Sequence, residues 1–502
     1  SLMPGYYEGT VSVDIKKSNE TSAKESAGFG FWVTDEKPIG NGTPITADRH
    51  FLYRDGEPFP VTGTTFMSPS VARRFLLEPS VSEWNAEFLR MKNAGVNMIR
   101  TGIWTGWSLY LDEKGSVREE VLRAWEAFVL TAAKYDIPVI FTFYAFMPEM
   151  YGGENAYLDP KSIAGQKRFL SAFASRVKGA RAIIWDLINE PSFANPKMLW
   201  SCRPNYDKFE AAAWKEWLIK RYAEPDPSKL AAVLRDRWQL REDEDAFALP
   251  ALKDFDSINI HVDRRPMRVV DFRLFAQDIF TDWARTMRET LRAAGNAEQL
   301  VMVGQDEAGT NDSPSTQFHG DAMDLTGLHN WWANDDLLWD SVVTKNPNRA
   351  NLVQETGLMF YEKQDGSAWR TDTQAADLLE RKLALSLGAS GAGFIQWIWN
   401  INPFMDNENE AAIGFCRVDG SFKEEFERFR AFAKFANQNR RLFKGKIDED
   451  IVLVIPHSQM FSARNLAVEA TKRAVRALHY DLKHSCRAVS EYRLETLLAE
   501  ER

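Results

Sequence analysis

The chain of 502 residues is poor in the residues that build disulfide frameworks and metal sites. It holds 3 cysteines, which lie far apart, and 7 histidines, none of them in a paired arrangement such as His-x-His. At most one disulfide bond could form, and the sparse histidines offer no recognisable set of metal ligands. We therefore expect no catalytic metal and no cofactor.

Long apolar runs and blocks of one charge are also missing. No run of eighteen apolar residues occurs, so we expect no membrane-spanning helix, and the first residues lack the pattern of a signal peptide. The 62 Lys and Arg and 71 Asp and Glu leave a net charge of −9, spread along the chain. Neither nucleic acid nor a membrane surface is an expected partner. The compartment stays open, either cytoplasmic or exported after processing.

The length predicts more than one domain. Residues 1–49 contain apolar side chains in alternation and predict a short N-terminal β unit, either whole or the remainder of a β-sandwich. Residues 50–445 form the main domain. Residues 446–502 predict one strand and an amphipathic helix, which we interpret as the start of a C-terminal α/β domain of flavodoxin-like type.

Between residues 50 and 445, short apolar strands alternate with helical stretches eight times. Eight such units predict an α/β fold of the (β/α)₈ TIM barrel type, with a doubly wound open sheet as the alternative. A partly helical insertion at 191–265 separates the fourth and fifth units. The first helix is predicted to begin with a capping box from Ser80 to Glu83.

Two predicted strands end on a glutamate. The fourth strand ends on Asn189-Glu190-Pro191, where the proline stops the ladder and is expected to hold Glu190 in extended geometry. The seventh strand ends on Glu355. The two carboxylates are therefore expected to face each other across the barrel mouth, as the cleavage of an acetal requires of an acid and a nucleophile.

Other side chains at the strand ends fit a sugar site. Arg100 is expected to keep a nucleophilic carboxylate ionised, or else to form a structural ion pair. Asn189 is expected to donate to a sugar hydroxyl, or else to cap the turn. Asp306 and Glu307 follow the fifth strand and are expected in a supporting or surface role, with catalysis as the alternative.

Aromatic residues gather at the same strand ends and predict a wall for a sugar ring, although plain packing explains some of them. Trp397 and Trp399 are expected on the same side of the eighth strand, with Trp397 at the sugar. The aromatic candidates are Trp104, Trp107, Tyr144, Trp331, Trp332, Trp397 and Trp399.

This set of residues resembles the retaining glycoside hydrolases of clan A over residues 50 to 440. The resemblance implies that Glu190 is the acid/base and Glu355 the nucleophile. Family 5 of that clan commonly carries His-x-Tyr on strand six, with the tyrosine contacting the nucleophile. Here His329-Asn330-Trp331 stands there, so an indole N–H would replace the phenol, and Tyr144 stands where the family often has a histidine.

The insertion around Trp217 to Trp238 and the exit into a new α/β domain at 451–456 are similar to the family 42 β-galactosidases and their trimerisation domain. The resemblance thus implies a retaining β-glycosidase acting on glycosides, oligosaccharides or polysaccharides, β-galactosidase-like, with a homo-oligomer formed through the C-terminal domain. The alternatives are an endo-β-glucanase or endo-β-mannanase, a non-catalytic carbohydrate-binding barrel, and a metal-dependent barrel hydrolase. The sugar, the linkage and exo or endo action stay open.

Overall fold

The structure is a computed structural model that describes most of the chain. The described residues are 2–16, 22–34, 42–104, 106–256, 266–307, 313–331, 336–359, 363–389, 391–405, 408–444, 449–462 and 467–496.

The N-terminal part consists of two small antiparallel sheets. The first is a hairpin of β1 (Gly5–Lys16) and β2 (Ser22–Val33), and the second joins β3 (Ile45–Ala47), β4 (Leu52–Arg54) and β5 (Glu57–Pro58). The hairpin lies against the main domain, where the indole Nε1 of Trp32 donates to Thr131 Oγ1 at 2.9 Å. The short N-terminal β unit is confirmed, and its standing as a domain of its own remains a prediction.

Eight strands form a closed parallel barrel in which the last strand pairs with the first, Gly393 opposite Val61. The closure confirms the (β/α)₈ barrel and excludes the open sheet. The barrel strands are β6 (Val61–Thr65), β7 (Met98–Gly102), β8 (Val139–Ala145), β9 (Ile183–Asn189), β10 (Leu300–Gln305), β11 (Thr326–Asn330), β12 (Asn351–Thr356) and β13 (Gly393–Gln396).

Helices follow the barrel strands and cover the outside of the barrel. Between β6 and the C-terminal segment they are α1 (Val81–Ala94), α2 (Glu119–Lys134), α3 (Pro160–Arg176), α4 (Lys208–Tyr222), α5 (Pro227–Trp238), α6 (Pro266–Ala294), α7 (Thr316–His319), α8 (Leu337–Thr344), α9 (Asp372–Gly388), α10 (Glu408–Ala411) and α11 (Glu424–Gln438).

Apolar side chains fill the barrel at the end where the strands begin, which leaves the opposite end for polar groups. Val61, Met98, Ile140, Ile184 and Met302 belong to this buried cluster. A second and larger cluster packs the strands against the helices. Because the strands are buried on both faces, the polar residues in their last positions must find partners within the protein.

The insertion between β9 and α6 packs through aromatic stacking. Trp214 stacks on Trp217 and on Trp238, each pair with an interplanar angle of 10°. Asp271 of α6 accepts hydrogen bonds from Tyr222 at 2.6 Å and from Trp238 at 2.7 Å, which ties α4 and α5 to the barrel. The predicted helical insertion is thus present.

The C-terminal segment contains β14 (Ile451–Ile455), α12 (His457–Met460), α13 (Ala467–Arg476) and β15 (Cys486–Ser490), and its two strands pair in parallel. Arg273 of α6 donates to the carbonyl of Phe461 at 2.9 Å. This βαβ arrangement agrees with the predicted start of an α/β domain, whereas an oligomer formed through it remains a prediction. Among the described residues, no helix combines the length and apolarity needed to cross a membrane.

The predicted capping box at the start of α1 is wrong. Ser80 stands at the N-cap but makes no side-chain hydrogen bond to the helix. Glu83 instead accepts hydrogen bonds from the hydroxyls of Ser68 and Ser70, both at 2.6 Å. The loop after β6 therefore uses the carboxylate that the box would have needed, and α1 anchors that loop.

Candidate active site

Glu190 and Glu355 lie at the carboxyl ends of β9 and β12, as predicted. The backbone N–H of Glu190 donates to the carbonyl of Gly304 on the neighbouring strand at 2.7 Å. Glu190 has a φ of 49°, in the left-handed region, so the extended geometry expected before Pro191 is wrong. The α region is disfavoured before proline, and the left-handed turn lets the chain leave the barrel while the side chain stays at its mouth.

Donor groups surround the carboxylate of Glu355. Arg100 Nη1 donates to Oε2, and the indole Nε1 of Trp331 donates to Oε1 at 3.0 Å. Arg100 is fully buried, and its Nη2 also donates to Asn189 Oδ1 at 2.6 Å and lies 3.5 Å from Asp186 Oδ2. Arg100 therefore contacts the expected nucleophile and also forms a structural ion pair, so both interpretations of this residue apply.

Glu190 has two polar partners of its own. His329 Nδ1 lies 2.9 Å from Oε1, and the indole Nε1 of Trp200 donates to Oε2 at 3.0 Å. The same His329 nitrogen is 3.8 Å from Oε2 of Glu355. One imidazole nitrogen thus stands between the two carboxylates.

A chain of hydrogen bonds determines which nitrogen of His329 carries the fixed proton. Gln354 Nε2 donates to Asp186 Oδ2 at 2.7 Å, which turns the Gln354 carbonyl oxygen toward His329 Nε2 at 3.3 Å. Thr142 also donates to Asp186 Oδ2, at 2.6 Å. Nε2 is therefore the donor to Gln354, and the proton that can move is the one between Nδ1 and Glu190.

Charge and burial oppose each other at this pair. Burial acts to lower the pKa of His329, but the Glu355 charge and the hydrogen bond to Glu190 raise it above its usual value. Burial acts to raise the pKa of Glu190, but the hydrogen bond and charge of His329 lower it. The two groups therefore hold one proton between them at neutral pH.

A cavity of about 430 Å³ opens above the two carboxylates. Asn189 lines it, and because its oxygen is occupied by Arg100, its amide nitrogen is the group left to serve a sugar hydroxyl. Three of the aromatic candidates, Trp104, Trp331 and Trp397, also line the cavity.

The other aromatic candidates lie elsewhere. Tyr144 is fully buried, with its hydroxyl 3.4 Å from that of Tyr151, and it is not among the residues that line the cavity. Trp107 donates to the carbonyl of Phe143 at 2.8 Å. Trp399 donates to Glu87 of α1 at 2.6 Å, on the helix side, so its expected position beside Trp397 is wrong. Trp332 lies outside the described residues.

Two further carboxylates line the cavity after β10. Burial and the neighbouring charge of Glu190 raise the pKa of Asp306 to about 8, so this side chain is largely protonated at neutral pH. Glu307 Oε1 accepts a hydrogen bond from the backbone N–H of Trp331 at 2.5 Å. Glu307 thereby holds the residue that contacts Glu355, which agrees with a supporting role.

A buried lysine joins the ends of β11 and β12 from behind. Lys382 Nζ of α9 donates to the carbonyl of Asn330 at 3.1 Å, the hydroxyl of Thr356 at 3.1 Å and the carbonyl of Gly357 at 3.0 Å. Burial lowers its pKa to about 7, against the favourable charges of Glu307 and Asp340. These bonds fix the strand ends that carry Trp331 and Glu355.

One group of ligand atoms has a spacing that a metal ion could use. Glu190, His329 and Glu355 each place one ligand atom within 4.8 Å of the others. The buried Arg100 guanidinium, however, already contacts Glu355 and puts a fixed positive charge at that point. A second cation there would be repelled, so the donor set fits acid–base chemistry better than metal binding.

Several residues at the site were missed by the sequence reasoning. Trp200 belongs to the insertion and contacts Glu190, while Arg73 and Glu410 come from the loops after β6 and β13 and line the cavity. None of them stands at a strand end, so no periodic pattern points to them. Asp186 and Gln354 are strand residues that read as ordinary members of buried strands.

Comparison with known proteins gives a family and a fold. The family model described as cellulase (glycosyl hydrolase family 5) matches residues 54–356, more than half of the chain. No curated protein sequence matches the chain.

Solved structures of similar fold include several glycosidases. An exo-β-1,4-mannosidase from Opitutaceae bacterium strain TAV5 aligns with a TM-score of 0.57 and 14% identity, covering 87% of this chain and 70% of the other. A β-galactosidase from the psychrophilic Marinomonas ef1 gives 0.64 and 13%, covering 85% and 69%. A GH5_18 protein from Streptomyces cattleya in complex with GlcNAc gives 0.55 and 12%, covering 87% and 95%. At these identities the likeness concerns the fold.

Proposed function

The chain belongs to glycosyl hydrolase family 5, and from that premise we propose that it hydrolyses β-linked glycosides with retention of anomeric configuration. The spacing of the two glutamates carries the proposal. One oxygen of each lies within 4.8 Å of the other and of the same His329 nitrogen. Retaining pairs stand about 5–5.5 Å apart, whereas inverting pairs leave about 6.5–9.5 Å for a water molecule.

In the first step, Glu355 attacks the anomeric carbon and a glycosyl-enzyme forms. Arg100 and Trp331 hold the attacking carboxylate in one orientation through its two oxygens. Glu190 delivers a proton to the leaving oxygen. That proton comes from the pair that Glu190 forms with His329, whose Nδ1 lies 2.9 Å away.

In the second step, Glu190 accepts a proton from water, which attacks the anomeric carbon and displaces Glu355. The proton returns to the Glu190–His329 pair, so the site is restored. Arg100 and Trp331 stabilise the negative charge that develops on the departing Glu355 carboxylate. The protonated Asp306 adds no further negative charge beside Glu190 during either step.

For the sugar, we favour a β-galactoside or β-mannoside. The insertion and the C-terminal α/β segment resemble those of β-galactosidases, and the similar folds include a β-galactosidase and an exo-β-1,4-mannosidase. An endo-β-glucanase or endo-β-mannanase is the second candidate, because family 5 and the barrel are compatible with it.

The test is a panel of 4-nitrophenyl β-glycosides with the first-formed product anomer followed by NMR. Hydrolysis of at least one glycoside, with the β anomer appearing first and with Glu355→Gln inactive, supports the proposal. The α anomer appearing first would contradict retention. Sugar binding without hydrolysis of any glycoside would instead favour a non-catalytic carbohydrate-binding barrel.

A further inference from the structure

A second cavity of about 600 Å³ adjoins the catalytic cavity. Its lining is partly apolar, through Val71, Phe404 and Met405, and Phe404 is 65% exposed. The two cavities share two lining residues, Arg73 and Glu410. These two side chains therefore stand at the boundary between the cavities.

Arg73 and Glu410 form an ion pair across this boundary, with Arg73 Nη2 3.4 Å from Glu410 Oε2. Arg73 belongs to the loop after β6, which Glu83 holds through Ser68 and Ser70. Glu410 belongs to α10, after β13. The pair is about one-third exposed on both sides and adds little stability, but it links two loops across the path between the cavities.

The order of strands tells which end of a substrate would meet this ion pair. Glu190 ends β9 and protonates the leaving oxygen, so the aglycone lies on the β9 side of the barrel mouth. The strands β13 and β6 lie across the barrel from β9. The loops that carry Arg73 and Glu410 therefore bound the opposite end, which the glycone occupies.

The aglycone side has a different character. Trp200 contacts Glu190, lines the catalytic cavity and is 47% exposed, and it packs edge to face on Phe146 with ring centroids 4.7 Å apart. An aromatic ring that is half open to solvent can contact aglycones of different length. The cavity is thus open beside the acid and bounded by an ion pair at the other end.

We propose that the Arg73–Glu410 ion pair is the specificity determinant that closes the glycone end and restricts the enzyme to removing one terminal sugar at a time. This inference rests on the proposed function and deepens it, since it selects exo over endo action. Beyond the ion pair, the second cavity has room for further sugar rings. Opening the pair should join the two cavities and admit a second glycone residue.

The test compares two substrates of the sugar that the panel identifies: its 4-nitrophenyl β-glycoside and the 4-nitrophenyl glycoside of its β-1,4-linked disaccharide. The unchanged enzyme should release a monosaccharide first from the second substrate. Arg73→Ala and Glu410→Ala should each raise the initial release of intact disaccharide by about tenfold relative to nitrophenol release from the first substrate. Products are followed by chromatography and mass spectrometry.

Arg74 and Glu78 provide the matched control, because they form an ion pair in the same second cavity without lining the catalytic one. Arg74→Ala should keep the product ratio of the unchanged enzyme. Intact disaccharide as the first product of the unchanged enzyme would overturn the inference. So would a folded Arg73→Ala variant, verified by circular dichroism, whose product ratio does not change.

Failure of the proposed function is distinguishable from failure of this inference. If no β-glycoside is hydrolysed, the proposed function fails. Crystals of Glu355→Gln soaked with the 4-nitrophenyl glycosides of β-1,4-galactobiose and β-1,4-mannobiose still test the boundary. Sugar rings confined to the Trp200 side of the ion pair would support it. A sugar ring beyond Arg73 and Glu410 would overturn it. So would a second cavity that still holds no sugar ring when Arg73→Ala is added to Glu355→Gln.

Discussion

Replacing Trp331 with phenylalanine tests the proposed roles of Trp331 and Arg100 as donors to the two oxygens of Glu355. The change removes the indole N–H that donates to Glu355 Oε1 at 3.0 Å. It keeps an aromatic ring at this buried position, where Trp331 is only 7% exposed. Arg100 still donates to the other oxygen. The variant therefore removes one hydrogen bond to a carboxylate with little loss of packing.

The magnitude follows from the role of that bond in each step. In the second step Glu355 leaves as a carboxylate, so a donor to its oxygen lowers the barrier. A hydrogen bond to a charged group contributes about 1.5–3 kcal/mol, and its full loss in the transition state would slow deglycosylation by about 10- to 150-fold. In the first step the same bond stabilises the attacking carboxylate before reaction, so glycosylation should change less.

The assay is stopped-flow release of dinitrophenol from an activated aryl β-glycoside. Trp331→Phe should give a burst equal to the enzyme concentration, followed by a steady-state rate reduced by the factor above, because the glycosyl-enzyme accumulates. Trp331→Tyr, which restores a donor, should recover part of the rate. Equal slowing of burst and steady-state phases would refute the assignment of Trp331 to the departing carboxylate.

Three further outcomes are expected. Glu190→Ala should slow glycosides with poor leaving groups far more than activated aryl glycosides, and equal loss on both would argue that Glu190 is not the acid. Because the pKa of Lys382 is about 7 in the fold and near 10.5 in the unfolded chain, the unfolded state binds more protons between these values, so stability should rise from pH 7 to 10.5. Denaturant titrations at several pH values give the free energy of unfolding as a function of pH. Between pH 7 and 10.5 this free energy should rise more steeply than that of Lys382→Met, by up to about 1.4 kcal/mol per pH unit, and equal pH dependence in the two proteins would contradict the prediction. Chelators should leave hydrolysis unchanged, and a loss that zinc restores would show that the Glu190–His329–Glu355 group binds metal.

The barrel and the positions of the paired glutamates could be predicted from the sequence. All strands of a parallel barrel run in the same direction, so residues at their carboxyl ends meet at one end of the barrel. Glu190 directly follows β9, and Glu355 is the last residue but one of β12. Closing the barrel therefore places both side chains at the same mouth. Arg100 follows the same rule from β7. The rule depends only on where each strand stops, which apolar runs and breakers reveal.

The same rule gave less about the direction of side chains. Tyr144 lies near the end of β8, yet its ring is buried and its hydroxyl faces Tyr151. Trp399 follows Trp397 by two residues but lies on the helix side, because β13 ends at Gln396 and strand alternation no longer holds. Alternation predicts a face only while a residue remains within the ladder.

The loop residues at the site could not be predicted from the sequence, for a different physical reason. Arg73 and Glu410 are separated by 337 positions, and Trp200 lies within an insertion between two barrel strands. Their contacts depend on how each loop folds back over the barrel mouth, which neither apolar periodicity nor a breaker encodes. The proposed catalytic residues can therefore be predicted from the sequence because they lie at strand ends. The residues proposed to determine substrate choice, such as the Arg73–Glu410 ion pair, lie in loops and cannot. Product analysis of the Arg73→Ala variant bears on that distinction directly, because it should change which bond is cleaved while leaving the paired glutamates in place.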